Sequence, residues 1–189
     1  EKNYNNEIGI PLTIIGARGI DESNGFVSRK LGWVRVFAKA ATVWLLPQNY
    51  PKLLVLEYGI DHPGDMDVYL AIVKPQIAVL TTIGISHKEF FKSEEEIAFE
   101  KGKMAASLPV NGTFVFNIDD VHVAEQAKRT KAHLFPYGKT HGNTQAKVIL
   151  ESVEEQLQYP PVTRLAIKTP SREIKVTVPV VGTAHESAI

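Results

Sequence analysis

The chain has 189 residues, 44% hydrophobic and 22% charged, which is ordinary for one globular domain with a real core. Lys+Arg and Asp+Glu are both 21, so the formal net charge is zero, and bulk charge draws the chain neither to nucleic acid nor to a membrane. Without cysteine there is no disulfide scaffold or thiolate metal site, and no apolar run is long enough to span a bilayer.

The first residues, Glu1-Lys2-Asn3-Tyr4-Asn5-Asn6, are polar and lack the apolar centre of a signal peptide; both ends are expected to be cuts in a longer chain. Residues 11–15 are a short apolar stretch, and 17–28 are loop-like, rich in Gly, Asp, Ser and Asn. Trp33, Val36, Phe37, Ala40 and Trp44 follow at helical spacing, with Arg35 and Lys39 off that face, which predicts a helix whose aromatic side meets the core. Residues 52–56 (Lys-Leu-Leu-Val-Leu) form a continuous apolar run of the kind that suits a parallel strand buried on both faces. It ends in Glu57-Tyr58-Gly59, and residues 66–73 read as a short helix.

A second buried strand is expected over 77–80, followed by a polar loop that carries His87. Ser93 and Glu96 have capping-box spacing and open a helix that runs to about Leu108, where Pro109 stops it. Asn111-Gly112 turns the chain into a third strand at 113–116, which ends in Asn117-Ile118-Asp119-Asp120. A helix over 121–130 and a fourth strand over 132–135 complete the alternation. Strands alternating with helices predict an α/β fold with a mostly parallel sheet flanked by helices. After Lys139 the pattern changes to extended segments at 146–152, 163–168 and 173–178, the last two joined by a Thr169-Pro170-Ser171 turn. These predict a small antiparallel β appendage on the same sheet. The expected organisation is one partial domain, with a parallel part over 1–138, an antiparallel part over 139–182 and the start of a helix over 183–189.

Ligands of open parallel sheets bind beyond the carboxyl ends of the strands. Glu57, His87 and the group Asn117, Asp119 and Asp120 all follow strands in this reading, and a carboxylate with an imidazole at one sheet edge could hold a divalent cation around phosphate oxygens. Lys101 lies four residues after Ile97 and three before Met104, on the apolar face of its helix, whereas Lys103 does not. Two readings stand for Lys101. It snorkels to water, or it is held partly desolvated, with a lowered pKa, as a neutral amine able to add carbon dioxide.

Several ordered motifs resemble the Mur ligases. Residues 5–13 read Asn-Asn-Glu-Ile-Gly-Ile-Pro-Leu-Thr; Glu57-Tyr58-Gly59 is followed by Pro63-Gly64-Asp65; Gly84 with Ser86-His87 precedes Ile97-Ala98-Phe99-Glu100-Lys101; and Asn117-Ile118-Asp119-Asp120 follows the next strand. The set is most similar to the MurF type, which adds D-alanyl-D-alanine. The resemblance implies the family's central ATP-binding domain, a P-loop-NTPase-like fold here lacking the P-loop unit. It implies ATP and Mg2+ as cofactors, and Glu57, His87 and a carbamylated Lys101 as magnesium ligands, with His87 and Lys101 catalytic. It places Asn6 near substrate phosphates, and Asn117 and His185 on the nucleotide. It further implies a cytoplasmic, bacterial ligase of peptidoglycan synthesis that acts through an acyl phosphate on UDP-MurNAc-peptide and dipeptide, with no nucleic-acid or membrane partner, and a fragment inactive alone.

The chain departs from the family pattern in four places. No G-x-x-G-K-[ST] loop is present, Thr82 stands where the family often has Asn, Glu186 replaces the usual Asn after His185, and residues 17–51 are longer than the family norm. These departures keep open a non-catalytic scaffold, and the carboxylates keep open a metal-dependent phosphoesterase using Glu57, His87, Asp119 and Asp120.

Overall fold

The computed structural model describes residues 5–17, 26–46, 50–84, 90–139, 147–156 and 162–178. Two compact units are present, residues 1–73 and 74–189, and each is described by itself.

The second unit contains a six-stranded sheet in sequential order: β1 (Ile77–Leu80), β2 (Thr113–Asn117), β3 (His133–Gly138), β4 (Val148–Gln156), β5 (Val162–Lys168) and β6 (Glu173–Val178). β1 to β4 pair in parallel, and β4, β5 and β6 pair antiparallel. The expected appendage is therefore the far edge of one continuous sheet. The β5–β6 turn closes where the sequence places it, with the Thr169 N–H donating to the Arg172 carbonyl at 2.9 Å.

Burial in β1 and β2 follows the two-residue period of a strand. Ala78, Leu80, Phe114 and Phe116 are buried, and the two Phe rings stack with centroids 5.1 Å apart. Ile77 and Val79 are exposed, so β1 is buried on one face rather than the two expected. α4 (Glu94–Ala106) packs against β1 and α5 (Val121–Gln126) against β2, and the two helices also pack on each other. α4 starts as its capping pattern predicts: Ser93 Oγ accepts from the Glu96 N–H at 3.3 Å. The Glu96 carboxylate reaches back to the N–H of Lys92, one residue earlier than in the reciprocal box. α4 and α5 approach closely at Gly102, where a Cβ would collide with the Gln126 amide and come 2.5 Å from Arg129 Nη1.

The first unit contains α1 (Gly9–Ile15), α2 (Phe26–Leu45) and α3 (Asp65–Ile72). α1 ends at Gly16 in the left-handed conformation that favours glycine (φ 64°), and the Gly16 N–H bonds the Thr13 carbonyl. α2 packs on α1, and a cleft lined by Thr13, Lys39, Thr42, Tyr50 and Leu54 lies along it.

Two expectations fail here. The run 52–56 forms no strand and enters no ladder among the described residues, and Leu53 and Val55 are 74% and 85% exposed. Its apolar sequence signals a demand for burial, but burial needs neighbouring strands, and no described strand pairs with it. The second failure concerns α2. Its buried residue is Val36, while Trp33, Phe37 and Trp44 are exposed. Of α2 and the residue after it, Lys39, Thr42, Val43 and Leu46 line the cleft with α1, so of the side that the period picked out only Val36 is buried and the aromatic rings are not.

Candidate functional site

Lys101 sits in the middle of α4, between Glu100 and Gly102, both of which are buried. Its own side chain is half-buried, and Ile97 and Ala105 on the same helix are buried. Desolvation lowers the Lys101 pKa, and the negative charge of Asp120 partly opposes that shift. The geometry thus favours the partly desolvated lysine over the freely snorkelling one.

Asp120 lies just beyond the carboxyl end of β2 and caps α5, with Oδ1 accepting from the Val123 N–H at 3.1 Å. Its Oδ2 accepts from the Ile83 N–H at 2.9 Å and the Thr82 hydroxyl at 3.0 Å, tying the end of β1 to the end of β2. Burial pushes the Asp120 carboxyl up, but the Ile83 and Val123 N–H groups and the Thr82 hydroxyl outweigh it and hold the carboxyl below the usual range. Asp120 in turn reinforces the effect of burial on Tyr137, whose phenol is pushed up to about 12. The neighbouring residues are also tied down. Asn117 is buried and its Oδ1 accepts from the Asp119 N–H at 3.0 Å, while Asp119 Oδ2 accepts from the Lys139 N–H.

In the first unit Glu57 is exposed, just after the run 52–56. The backbone behind it is fixed by α3 and by the start of the chain. The Tyr58 hydroxyl donates to the Val73 carbonyl at 2.9 Å, the Tyr69 hydroxyl to the Gly59 carbonyl at 2.8 Å, and the Gly59 N–H to the Asn5 carbonyl at 2.9 Å. Any side chain at position 59 would strike the Asn5 side chain, which accounts for the glycine after Glu57-Tyr58. Asn6 Oδ1 accepts from the Gly9 N–H at 2.8 Å and the Ile8 N–H at 3.3 Å, so it holds the start of α1.

In the second unit Asn117 ends β2 and Asp119 and Asp120 follow it, and of these the charge of Asp120 acts on Lys101. Glu57 and Asn6 belong to the first unit, and His87 and His185 lie outside the described residues. Among the described residues no group of three His, Cys, Asp or Glu side chains could hold a metal. Of the expected magnesium ligands only Glu57 and Lys101 are among the described residues, and burial lowers the Lys101 pKa. Sequence reasoning named Asp120 as a candidate ligand but not its part as the cap of α5, although Asp immediately before the helix from Val121 is a recognisable N-cap signal. It missed one further residue of this region. Glu100 is buried and pairs with Lys103 at 2.7 Å, and the i,i+3 spacing was its signal.

The profile of the Mur ligase middle domain matches residues 37–187. A UDP-N-acetylmuramoyl-tripeptide–D-alanyl-D-alanine ligase of Mycobacterium tuberculosis is 36% identical over 139 residues, covering 65% of this chain and 27% of that protein. The Bacillus subtilis ligase of the same name is 26% identical over 152 residues, covering 80% and 26%. In fold, the chain is similar to a UDP-N-acetylmuramoylalanyl-D-glutamyl-2,6-diaminopimelate–D-alanyl-D-alanyl ligase of Acinetobacter baumannii, with a TM-score of 0.67 at 19% identity over 99% of this chain and 33% of that one. It is also similar to the MurF ligase of Thermotoga maritima in complex with ADP, with a TM-score of 0.57 at 19% identity over 92% and 37%. The chain thus spans about a quarter of the length of these two curated relatives. A mostly parallel sheet with an antiparallel edge, the ordered motifs on it and the profile match over most of the chain together establish that it belongs to the Mur ligase family, through the middle domain.

Proposed function

We propose that the chain is the nucleotide- and magnesium-handling part of an ATP-dependent amide-forming ligase of peptidoglycan precursor synthesis, one that adds D-alanyl-D-alanine to a UDP-MurNAc-peptide. The observation that carries this reading is Lys101, a half-buried amine on α4 that feels the charge of Asp120, the residue just beyond the carboxyl end of β2. The relatives' names supply the substrate class.

In this reading the neutral Nζ of Lys101 adds to the carbon of carbon dioxide, forming an N–C bond and releasing a proton, so that a cation becomes a carboxylate-like group. Magnesium held by Glu57, His87 and this carbamate would screen the repulsion between a substrate carboxylate and the polyphosphate. The substrate carboxylate takes the γ-phosphoryl group of ATP, releasing ADP, and the incoming amine displaces phosphate to leave the amide. Asp120 positions the site: by bonding Ile83, Thr82 and Val123 it fixes the ends of β1 and β2 beside α4. Asn6, Asn117 and His185 complete the proposed contacts to substrate phosphates and nucleotide. The residue range 1–189 serves as one partial domain, unable to turn over without the remainder of the ligase.

A phosphoesterase is the weaker reading, because the Asp119 and Asp120 carboxylates are both engaged by backbone N–H groups and so are spent on structure. The test uses the full-length protein that carries this chain. Carbon-13 NMR in labelled bicarbonate is expected to show a carbamate signal that Lys101→Ala removes. Phosphate release is expected only when MgATP, UDP-MurNAc-tripeptide and D-alanyl-D-alanine are all present. Release of phosphate from ATP or simple esters without the peptide substrates would overturn the ligase reading.

A further inference from the structure

The cleft between α1, the C-terminal half of α2 and residues 50–54 has a volume of about 330 Å³. That is the lower end of the size range of small-molecule sites, roughly 300–1,000 Å³. Ile14, Val43, Leu46 and Leu54 give it apolar walls, and Thr13, Lys39, Thr42 and Tyr50 are its polar side chains. None of the residues assigned to magnesium, substrate phosphates or nucleotide lines it. Its α2 side belongs to the stretch that exceeds the family norm, and the family match begins only at residue 37.

The polar groups decide what such a cleft can hold. Each hydroxyl donates its proton to a backbone carbonyl: Thr13 to Gly9 at 2.9 Å, Thr42 to Lys39 at 2.7 Å and Tyr50 to Ile14 at 2.7 Å. What these oxygens still offer is lone pairs, which accept. Lys39 is therefore the one lining side chain with protons left to give, and it is the one charged residue of the lining. Its stem crosses the end of α1, with Cε 3.8 Å from where a Cβ on Gly16 would stand. Among the described residues no carboxylate lies within ion-pair distance of it. The carbonyl end of α1 supplies only a fraction of a charge, and one of its carbonyls, that of Ile14, is taken by Tyr50. An ammonium without a counter-charge beside apolar walls suits a ligand with one negative end and an aliphatic body. A polyphosphate would leave most of its charge uncompensated there.

We propose that this cleft binds a small aliphatic monocarboxylate, with the carboxylate on Lys39 Nζ and the chain against Ile14, Val43, Leu46 and Leu54. The site is separate from the proposed ligase chemistry, and its ligand bridges α1 and α2.

The full-length protein that carries this chain, labelled at the methyl groups of Ile, Leu and Val, is titrated with hexanoate, hexylammonium and acetate and followed by NMR. Hexanoate is expected to shift the Val43 and Leu46 signals saturably. Hexylammonium has the same chain with the opposite charge, and acetate lacks the chain; neither is expected to shift them. Lys39→Gln is expected to weaken hexanoate binding about three- to five-fold, the scale of one solvent-accessible ion pair. Thr42→Trp fills the cleft from an exposed position and is expected to abolish binding with circular dichroism unchanged. No saturable shift, equal binding of hexylammonium or of acetate, or unchanged affinity in Lys39→Gln overturns the proposal. Hexanoate binding that survives Thr42→Trp also overturns it, because the ligand then sits elsewhere.

Discussion

α2 and α4 are both amphipathic by spacing, yet they meet opposite fates. α4 has an N-cap at Ser93, Glu94, Glu95 and Glu96 in its first turn and Lys103 in its last, all consistent with the helix dipole, and its buried residues face β1 and α5. α2 has no acid in its first turn and no base in its last, and Arg35, Lys39 and Thr42 lie opposite its aromatic side. The difference teaches that a helical period identifies a face but not what covers it. In α4 the charged and buried sides agree with the packing; in α2 the side with Lys39 and Thr42 lines the cleft with α1, and the aromatic side is exposed.

Four substitutions test this contrast, and the largest effect is expected in the sheet beneath α4 and α5. Phe114→Ala empties a fully buried site stacked on Phe116 and is expected to lower stability by about 3–5 kcal/mol in urea denaturation. A loss under about 1 kcal/mol would mean that this face of the sheet is not a close-packed core. Next comes Lys103→Met, which takes the Lys103 ammonium from the buried Glu100 carboxylate, leaving the nearby charge of Arg129, and is expected to cost about 2–3 kcal/mol. The loss should shrink in the double variant Glu100→Gln/Lys103→Met.

Asp120→Ala removes the α5 cap together with the tie to β1, with an expected cost of about 1–2 kcal/mol at pH 7. Its sign with pH is fixed by the lowered folded pKa of Asp120. The stabilisation is present above the unfolded value and disappears as pH falls through the folded one, below about 4. Thermal melts of wild type and variant should therefore converge in acid, and a gap that persists there would assign the effect to packing. The smallest effect belongs to α2: Phe37→Ala should change stability by no more than about 0.5 kcal/mol. A large loss would show that the aromatic face of α2 is buried after all.

The sheet was readable from sequence because its signals are local. The Asn111-Gly112 turn into β2, the capping residues of α4, and the turn at residues 169–171 each act within a few residues, and all formed where expected. The fate of residues 52–56 was not readable, since an apolar run states that a segment would gain from pairing but not which chain supplies the partner. At the candidate site, helical phase singled out Lys101, and its desolvation agrees with that phase. The part played by Asp120 depends on Thr82 and Ile83, nearly forty residues away, and no local spacing encodes that meeting.

Gly102 has a consequence for which substitutions the site can tolerate. It contacts no proposed ligand, and glycine inside a helix costs about 0.5–1 kcal/mol relative to alanine. Yet a methyl group there would have to displace the side-chain ends of Gln126 and Arg129 and disturb the bond from Arg129 Nη1 to Gln126 Oε1. Lys101 is the adjacent residue, and burial lowers its pKa. A side chain at 102 would therefore be felt first where the two helices meet and, through that packing, in the solvent exposure of the amine next to it.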